Sequence, residues 1–352
     1  MKRTLKQIFA YTLTLCFIFV FASSVGAVDG ISDTIDAISH NNKSYQLSYY
    51  DYTTNQHSLV TFNNVPNYAA TTTTTHELNS LHQYARQFEL MEESTILSQN
   101  ENTISPNIIF DSKYGFLPHA PLTALGTPTT PYSGVMCLRI VDTIDGSVTT
   151  NYATGFLVSP NVMVTAAHCV IPAKGTSDRK DVRVYPFTHQ AASPDSTNND
   201  YLTIVGAYCP NEYQNRLSDS GYDWAIVKLS GSINNAYYFP CSYAVADIMN
   251  NAAFQTLGYP RDAQGTDTSD YYLYASIGLV TNLTSNQIHH DANTNDGNSG
   301  GPFTGPHNIC YGITNAEYLI YENDVLINQY NCSARITADL YNEICYMIEV
   351  YA

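Results

Sequence analysis

From about residue 130 onward, the sequence is a series of short apolar runs, among them VMCLRIV, VMVTAAHCV, WAIVKL and ICYGIT. Clusters of glycine, proline, asparagine, aspartate and serine separate these runs. Runs of this length between turn-forming residues are typical of antiparallel β-sandwiches and β-barrels, so the pattern predicts an all-β fold. A helical pattern, TADLYNEICYMIEVYA, follows the last run and predicts a C-terminal α-helix that begins after an N-cap at Thr337. Its apolar face comprises Leu340, Ile344, Cys345 and Ile348.

The first residues have the order of features found in a secretory leader. Lys2, Arg3 and Lys6 precede an apolar run from Ile8 to Ala22, and small residues ending in VGA follow it. This order predicts a signal peptide at residues 1–27. An uncleaved membrane anchor is the alternative, although the run is short for a bilayer span of about 20 residues. We expect a secreted, extracellular protein with no stable membrane association after cleavage.

Residues 28–107 differ in composition from the rest of the chain. They are rich in asparagine, threonine, serine and tyrosine, and they contain no cysteine. One helical pattern, HELNSLHQYARQFELMEESTIL, follows a tract of five threonines. We interpret this segment as a propeptide that precedes the main domain.

The net charge of −16 limits the classes of partner. An acidic protein repels phosphate backbones and anionic head groups, so we expect neither nucleic acid nor a membrane surface as a partner. Acidic loops such as SDSGYD could hold calcium weakly, but scattered carboxylates in an acidic protein are typical of a solvated surface. We therefore expect no metal and no cofactor.

Three local contexts contain the residue types needed for nucleophilic catalysis. In DGNSGGP, Ser299 has glycines around it, and these can turn the N–H groups of Gly297 and Ser299 toward one point. His168 follows the apolar run NVMVTAA, and Asp223 comes just before the run WAIVKL. Taken singly, each context also fits a structural role: a turn, a buried histidine or a strand-start aspartate. Together, in the order His, Asp, Ser, they indicate a base, its orienting carboxylate and a nucleophile.

The segments TAAHC, YDWAIVKL and GNSGGP resemble the three active-site signatures of the chymotrypsin-like serine proteases. The sequence is most similar to the secreted bacterial glutamyl endopeptidase branch, through PYSGVMCLRI at 131–140 and ARIT at 334–337. The resemblance covers roughly residues 108–352. It implies a protease domain of two antiparallel six-stranded β-barrels with the active site in the cleft between them.

The resemblance also implies roles for individual residues. His168 would be the general base and acid, Asp223 its orienting partner and Ser299 the nucleophile, with Gly297 and Ser299 forming the oxyanion hole. Protein or peptide substrates are implied as partners, and we expect a monomer.

Departures from the family pattern affect the expected substrate. The glutamyl branch has a histidine in a GIH context, whereas this sequence reads YGITNAE, so that histidine is replaced by Thr314 or deleted. Thr294 matches a pocket hydroxyl of the family, and Asn293 stands where trypsin-like members have an aspartate. Asp296 beside the oxyanion hole would repel an acidic side chain. We expect Asn293, Thr294 and Thr314 to contact substrate and to give a neutral or loosely defined preference, with neither strict acidic nor strict basic specificity.

Seven cysteines remain after the leader, so some pairing is expected in an oxidising compartment, with at least one cysteine left over. Many relatives pair the cysteine at the Cys169 position with one that lies fifteen residues upstream of the histidine, but that position is Ala153 here. Its partner stays open, with Cys137 and Cys209 as candidates. Cys310 and Cys332 flank a predicted hairpin and are our preferred disulfide.

The end of the propeptide has two candidate positions. The mature chain is expected to begin at Ile108, because relatives begin with a similar apolar pair, and a cut after Lys113 is the main alternative. Asn298 stands before the nucleophile, so an ion pair between a new α-amine and a carboxylate at that position is not available.

The sequence therefore predicts a secreted serine endopeptidase made as an inactive precursor. The alternative is a catalytically silent homologue that acts as a secreted binding or adhesion protein. A third interpretation retains the triad but assigns it to an ester or to one specific partner protein.

Overall fold

The computed structural model describes residues 43–68, 117–118, 131–144, 146–172, 178–186, 201–215, 219–234, 236–243, 253–260, 273–322 and 325–351. The expected signal peptide, the helical pattern after the threonine tract, Ile108 and Lys113 lie outside these residues. Residues 41–352 belong to one compact unit.

Eight strands form the first sheet, in the order β2-β1-β8-β7-β4-β5-β6-β9. Strand β9 also pairs with β8, so the six strands β4 to β9 close into a barrel and the β1–β2 hairpin extends it. The strands are β1 (Lys43–Asp51), β2 (Gln56–Val65), β4 (Val135–Ile144), β5 (Ser147–Ser159), β6 (Val162–Thr165), β7 (Arg179–Tyr185), β8 (Leu202–Pro210) and β9 (Ala225–Leu229).

Seven strands form the second sheet, in the order β10-β13-β14-β15-β12-β11-β3. Strand β10 also pairs with β11, which closes a second barrel of six strands. The strands are β3 (Leu117–Pro118), β10 (Ala253–Gly258), β11 (Tyr274–Leu283), β12 (Gln287–His290), β13 (Pro302–Thr304), β14 (Cys310–Glu322) and β15 (Val325–Arg335). The prediction of two antiparallel six-stranded barrels is confirmed.

Helices are few and short apart from the last one. They are α1 (Ala167–Val170), α2 (Asn211–Asn215) and α3 (Ala338–Tyr351), with 3₁₀ turns at Pro131–Gly134, Ser220–Tyr222 and Pro306–Asn308. The Leu340 N–H donates to Thr337 Oγ1 at 3.2 Å, which confirms Thr337 as the N-cap of α3. Leu340 and Ile344 are buried, as the apolar face predicted.

Strand β4 illustrates why the apolar runs are continuous rather than alternating. Successive side chains of a strand point to opposite faces. Met136 and Leu138 pack inside the first barrel, whereas Val135 and Cys137 belong to a cluster that includes Leu257 of β10 and residues of α3. Both faces of β4 are therefore buried, which explains the apolar run VMCL.

Candidate active site

His168 and Asp223 meet at one end of the first barrel. Strand β6 ends at Thr165, which lies opposite Ala225 at the start of β9. Helix α1 follows β6 and contains His168, and Asp223 ends the 3₁₀ turn before β9, so the ladder brings the two residues to the same end. His168 Nδ1 lies 2.7 Å from Asp223 Oδ2.

The carboxylate of Asp223 holds the histidine at two points. In addition to the ring contact, the His168 backbone N–H donates to Asp223 Oδ1 at 2.9 Å. Asp223 is buried, whereas 43% of the His168 side chain is exposed. One carboxylate thus fixes both the backbone and the ring of His168, and the ring remains accessible from solvent.

The pKa of His168 reflects two opposed effects. Burial by itself lowers this pKa. The negative charge of Asp223, the interaction with Cys169 and the hydrogen bonds to both residues raise the pKa by more than burial lowers it, so the net pKa lies well above its usual value. A raised pKa makes the ring a stronger base. An imidazole oriented by a buried carboxylate is suited to accept a proton from a hydroxyl.

Asn315 supports Asp223 from the second barrel, and the sequence analysis did not identify it. Its Nδ2 donates to the carbonyl of Ser220 at 2.6 Å and to that of Asp223 at 3.2 Å. The Asp219 side chain caps the same 3₁₀ turn by accepting from Gly221 N–H at 3.1 Å. No local sequence signal links Asn315 to a loop more than ninety residues earlier; only barrel contact does.

The loop between β12 and β13 contains Ser299 and is held by its own backbone hydrogen bonds. Asn298 N–H donates to Asn295 O, and Gly301 N–H donates to Asn298 O, both at 2.9 Å. The φ angles are 100° at Gly297 and 88° at Gly300, in the region that glycine adopts readily. The glycines that flank Ser299 are therefore required by the backbone path of this loop.

Ser299 contacts the residue that follows His168. The Ser299 carbonyl accepts from Thr154 N–H at 2.9 Å, and the Cys169 thiol lies 3.7 Å from the same oxygen. Thr154 Oγ1 also donates to Gly297 O at 2.7 Å. The structure therefore places the candidate nucleophile loop of the second barrel against β5 and α1 of the first. Thr154 joins the two halves, and sequence reasoning missed it.

The two candidate oxyanion-hole donors are the N–H groups of Gly297 and Ser299. Within the part of the chain that the structure describes, neither amide donates to a backbone carbonyl. Gly297 is buried and Ser299 is half-buried. Unused backbone donors beside a candidate nucleophile are able to bind the oxygen of a tetrahedral intermediate.

The candidate pocket residues occupy different environments. Thr314 is buried, and its hydroxyl lies 2.9 Å from that of Thr256. Its backbone adjoins the nucleophile loop, since Gly300 N–H donates to Thr314 O at 2.6 Å. Asn293 and Thr294 are half-buried in the loop itself.

A buried histidine lies close to this loop in sequence. His290 is fully buried and stacks on Phe303, with ring centroids 4.5 Å apart. Its Nε2 lies 3.1 Å from Ser333 Oγ. Burial lowers the pKa of His290 to about 3, so the ring is neutral at physiological pH. It packs the barrel interior, and the sequence analysis did not identify it.

The preferred disulfide between Cys310 and Cys332 is wrong. All seven cysteines from Cys137 to Cys345 are free thiols. Cys332 lies opposite Ala316 in the β14–β15 ladder, whereas Cys310 begins β14. At roughly 3.3 Å per residue, the six residue steps along β14 from Cys310 to Ala316 separate the pair by about 20 Å, far beyond the roughly 7 Å limit for a disulfide.

Among the described residues, no helix is long and apolar enough to cross a membrane. The same residues contain no group of three or more histidine, cysteine, aspartate or glutamate side chains arranged to hold a metal ion.

Comparison with known proteins relates this geometry to one family. A family model described as Trypsin matches residues 132–337. A solved structure of a Glu endopeptidase in complex with MPD superposes with a TM-score of 0.52 and 24% identity, covering 67% of this chain and 97% of that one. None of the curated proteins matches the chain significantly.

Two further solved structures are similar at lower TM-scores. A scabies mite inactivated protease paralogue has a TM-score of 0.43 and 15% identity, covering 64% of this chain and 98% of that one. A thermostable serine protease from an extremophilic microorganism has a TM-score of 0.44 and 13% identity, covering 61% of this chain and 97% of that one.

Proposed function

Because the chain belongs to the trypsin family, we propose that it is a secreted serine endopeptidase that cleaves peptide bonds through an acyl-enzyme on Ser299. The observation that carries the proposal is the double contact between His168 and Asp223, at 2.7 Å and 2.9 Å. A purely structural histidine at a strand end would not need both oxygens of a buried carboxylate while its ring stays accessible. The nucleophile loop packs beside this pair through Cys169.

In the proposed reaction, Ser299 Oγ attacks the scissile carbonyl carbon and its proton passes to His168 Nε2. Asp223 holds the ring with Nδ1 protonated and stabilises the imidazolium that forms. The oxygen that becomes negative accepts hydrogen bonds from the N–H groups of Gly297 and Ser299. His168 then gives its proton to the leaving amine, and a water molecule, activated by the same ring, releases the acyl group.

For the residue that precedes the scissile bond, we infer a neutral preference. Asn293 is uncharged, and the Thr314 hydroxyl is paired with Thr256 at 2.9 Å, so these positions supply no cation for an acidic substrate. Asp296 is exposed beside Gly297 and would repel a carboxylate. A peptide library that differs only at this residue should show faster cleavage after neutral side chains than after glutamate or lysine. Strict cleavage after glutamate would contradict the inference.

We also propose that the protein is exported and made as an inactive precursor. The leader-like residues 1–27 and the distinct composition of residues 28–107 support this proposal. N-terminal sequencing of the largest chain of the secreted protein, isolated under denaturing conditions, should give a start near Ile108 or after Lys113. A fully active, uncut chain that begins at Val28 would refute the precursor.

The test of the catalytic proposal is covalent labelling by a fluorophosphonate probe, with the labelled residue mapped by mass spectrometry. Labelling should occur at Ser299, disappear in Ser299→Ala and persist in Ser285→Ala, which changes an exposed serine of a nearby turn. Folded, processed protein that takes no label would refute the acyl-enzyme and favour a catalytically silent binding or adhesion protein.

A further inference from the structure

The β1–β2 hairpin lies inside the segment expected to be a removable propeptide, yet it is built into the first sheet. Strand β1 pairs with β8 in antiparallel register from Leu47 opposite Pro210 to Asp51 opposite Gly206. Main-chain pairing of this kind is the usual way in which a segment is added to an exposed sheet edge.

Apolar side chains of the hairpin complete the hydrophobic clusters of the barrel. Leu47 is 3% exposed and packs in the cluster that contains Tyr208 and Trp224. Tyr50 is 1% exposed and packs in the cluster that contains Cys169. Removal of the hairpin would expose this apolar surface to water, which is unfavourable.

Gly206 of β8 leaves space for the side chain of Tyr49 in the hairpin. A Cβ atom at Gly206 would lie 2.3 Å from the ring of Tyr49, so a larger residue here would require the ring to move from its present position. Glycine inside a strand weakens it unless another group approaches closely. The close approach of Tyr49 is one feature that accounts for this glycine, and the register shift between Ile204 and Gly206 in the pairing of β8 with β9 is another.

Asn342 of the C-terminal helix forms hydrogen bonds to the hairpin segment through its buried side-chain amide. Asn342 is 1% exposed. Its Nδ2 donates to Tyr45 Oη at 3.2 Å and to Asn67 Oδ1 at 3.0 Å, and its Oδ1 accepts from Tyr68 N–H at 2.9 Å. Loss of residues 43–68 would remove all three of these contacts from a buried polar group, which is costly.

The end of the hairpin reaches the helix that contains His168. Tyr52 N–H donates to Val205 O at 3.2 Å, and the Tyr52 hydroxyl donates to the carbonyl of Val170, the last residue of α1. The hairpin therefore contacts the element that positions the proposed general base.

From these contacts we propose that residues 43–68 are a permanent part of the catalytic unit. A cut between residues 69 and 130 would then leave the hairpin bound as a second, non-covalent chain rather than release it. The assignment of a catalytic unit rests on the proposed function, whereas the binding of the hairpin does not.

The test uses the whole chain from Val28 with Ser299→Ala, which prevents self-cleavage. A recognition sequence for a specific protease replaces Thr71–Thr75, and the cut chain is passed through gel filtration at nanomolar concentration. The N-terminal fragment should co-elute with the remainder and separate only in denaturant. A fragment that elutes alone, while the remainder keeps its far-UV circular dichroism, would overturn the proposal.

A matched pair of variants identifies the interface. Leu47→Ser in the cut chain should weaken fragment binding at least about tenfold, because Leu47 is 3% exposed. Leu59→Ser changes the same residue type in the same hairpin, but Leu59 is 51% exposed and the variant should bind like the parent. Equal weakening by both variants would refute the assigned interface.

A second measurement covers the case in which Leu47→Ser does not fold. Hydrogen exchange of the cut parent should show protected amides in β1, and unprotected β1 amides would also overturn the proposal. Fluorophosphonate labelling of the cut chain with Ser299 intact is a separate readout. If labelling fails while the fragment stays bound, the proposed function fails and the hairpin proposal stands.

Discussion

Glu343 of α3 is a buried carboxyl group whose ionisation should make stability depend on pH. The residue is 8% exposed, and its Oε2 has no hydrogen-bond partner among the described residues. Burial, followed by the charges of Asp339 and Glu212, raises its pKa from about 4.5 to about 8. The native state thus retains a proton that the unfolded chain loses, so the free energy of unfolding falls as pH rises from about 4.5 to about 8.

The expected change in the free energy of unfolding follows from the size of the pKa shift of Glu343. One pKa unit corresponds to about 1.4 kcal/mol, so at pH 7 the two to three units above the ordinary carboxyl pKa amount to roughly 3 kcal/mol. Glu343→Gln stays neutral at every pH and removes this loss. Relative to the parent, the variant should therefore gain about 3 kcal/mol between pH 4.5 and pH 7.

Urea unfolding at both pH values, in the Ser299→Ala background to prevent self-cleavage, measures this gain. The control is Glu317→Gln, which makes the same substitution at an exposed glutamate. A Glu343→Gln effect that is the same at pH 4.5 and pH 7 would mean that Glu343 is ionised in the native state, and the reasoning from burial would fail.

Three further predictions concern the site and the thiols. Asp223→Asn removes the charge that raises the pKa of His168. The kcat on a peptide substrate should therefore fall about 10⁴-fold, and the acid limb of the residual pH–rate profile should move to lower pH. An acid limb at the parental pH would argue against the pairing of His168 with Asp223. Gly300→Ala would place a Cβ atom 2.0 Å from the Thr154 carbonyl oxygen, at a residue whose φ is 88°. We expect the variant to lose fluorophosphonate labelling and, in urea unfolding, to be less stable than the parent by about 3 kcal/mol. A variant that is labelled and has parental stability would contradict this prediction. Cys241 and Cys310 pair in an isolated β-bridge, and their thiols share a hydrogen bond. Oxidised glutathione should join the two thiols in a disulfide and should itself be reduced to two thiols. Peptide mapping that finds either cysteine joined to another residue would refute this pairing.

The order of strands was predictable where each strand carries its own apolar run. Strands β4 to β11 each match such a run, and in β4, β6 and β9 most side chains are buried. The short strands β12 and β13 were missed, since Gln287–His290 and Pro302–Thr304 are too brief to show a period. Their pairing is imposed by neighbouring strands rather than by their own sequence.

The hairpin was missed for a different reason. Strand β1 reads KSYQLSYYD, in which tyrosines and serines stand where a core strand would have aliphatic residues. Tyr45 and Tyr50 are nevertheless buried, because their rings supply apolar surface while their hydroxyls find partners in Asn342 and Asn55. A composition rich in polar residues therefore concealed a segment that packs as core.

The candidate site shows the same division between local and distant determinants. His168, Asp223 and Ser299 each follow from a local context, because strand ends and glycine turns are encoded nearby in sequence. Thr154 and Asn315 have no such context: one lies in the middle of β5 and the other within β14, and each acts through contacts with the opposite barrel. Residues proposed to take part in the chemistry can thus be predicted from their neighbours in sequence, whereas residues that align the two barrels can be identified only when both barrels are in place. It follows that substitutions at Thr154 or Asn315 should alter catalysis through the alignment of the nucleophile loop with His168, even though neither side chain is proposed to touch substrate.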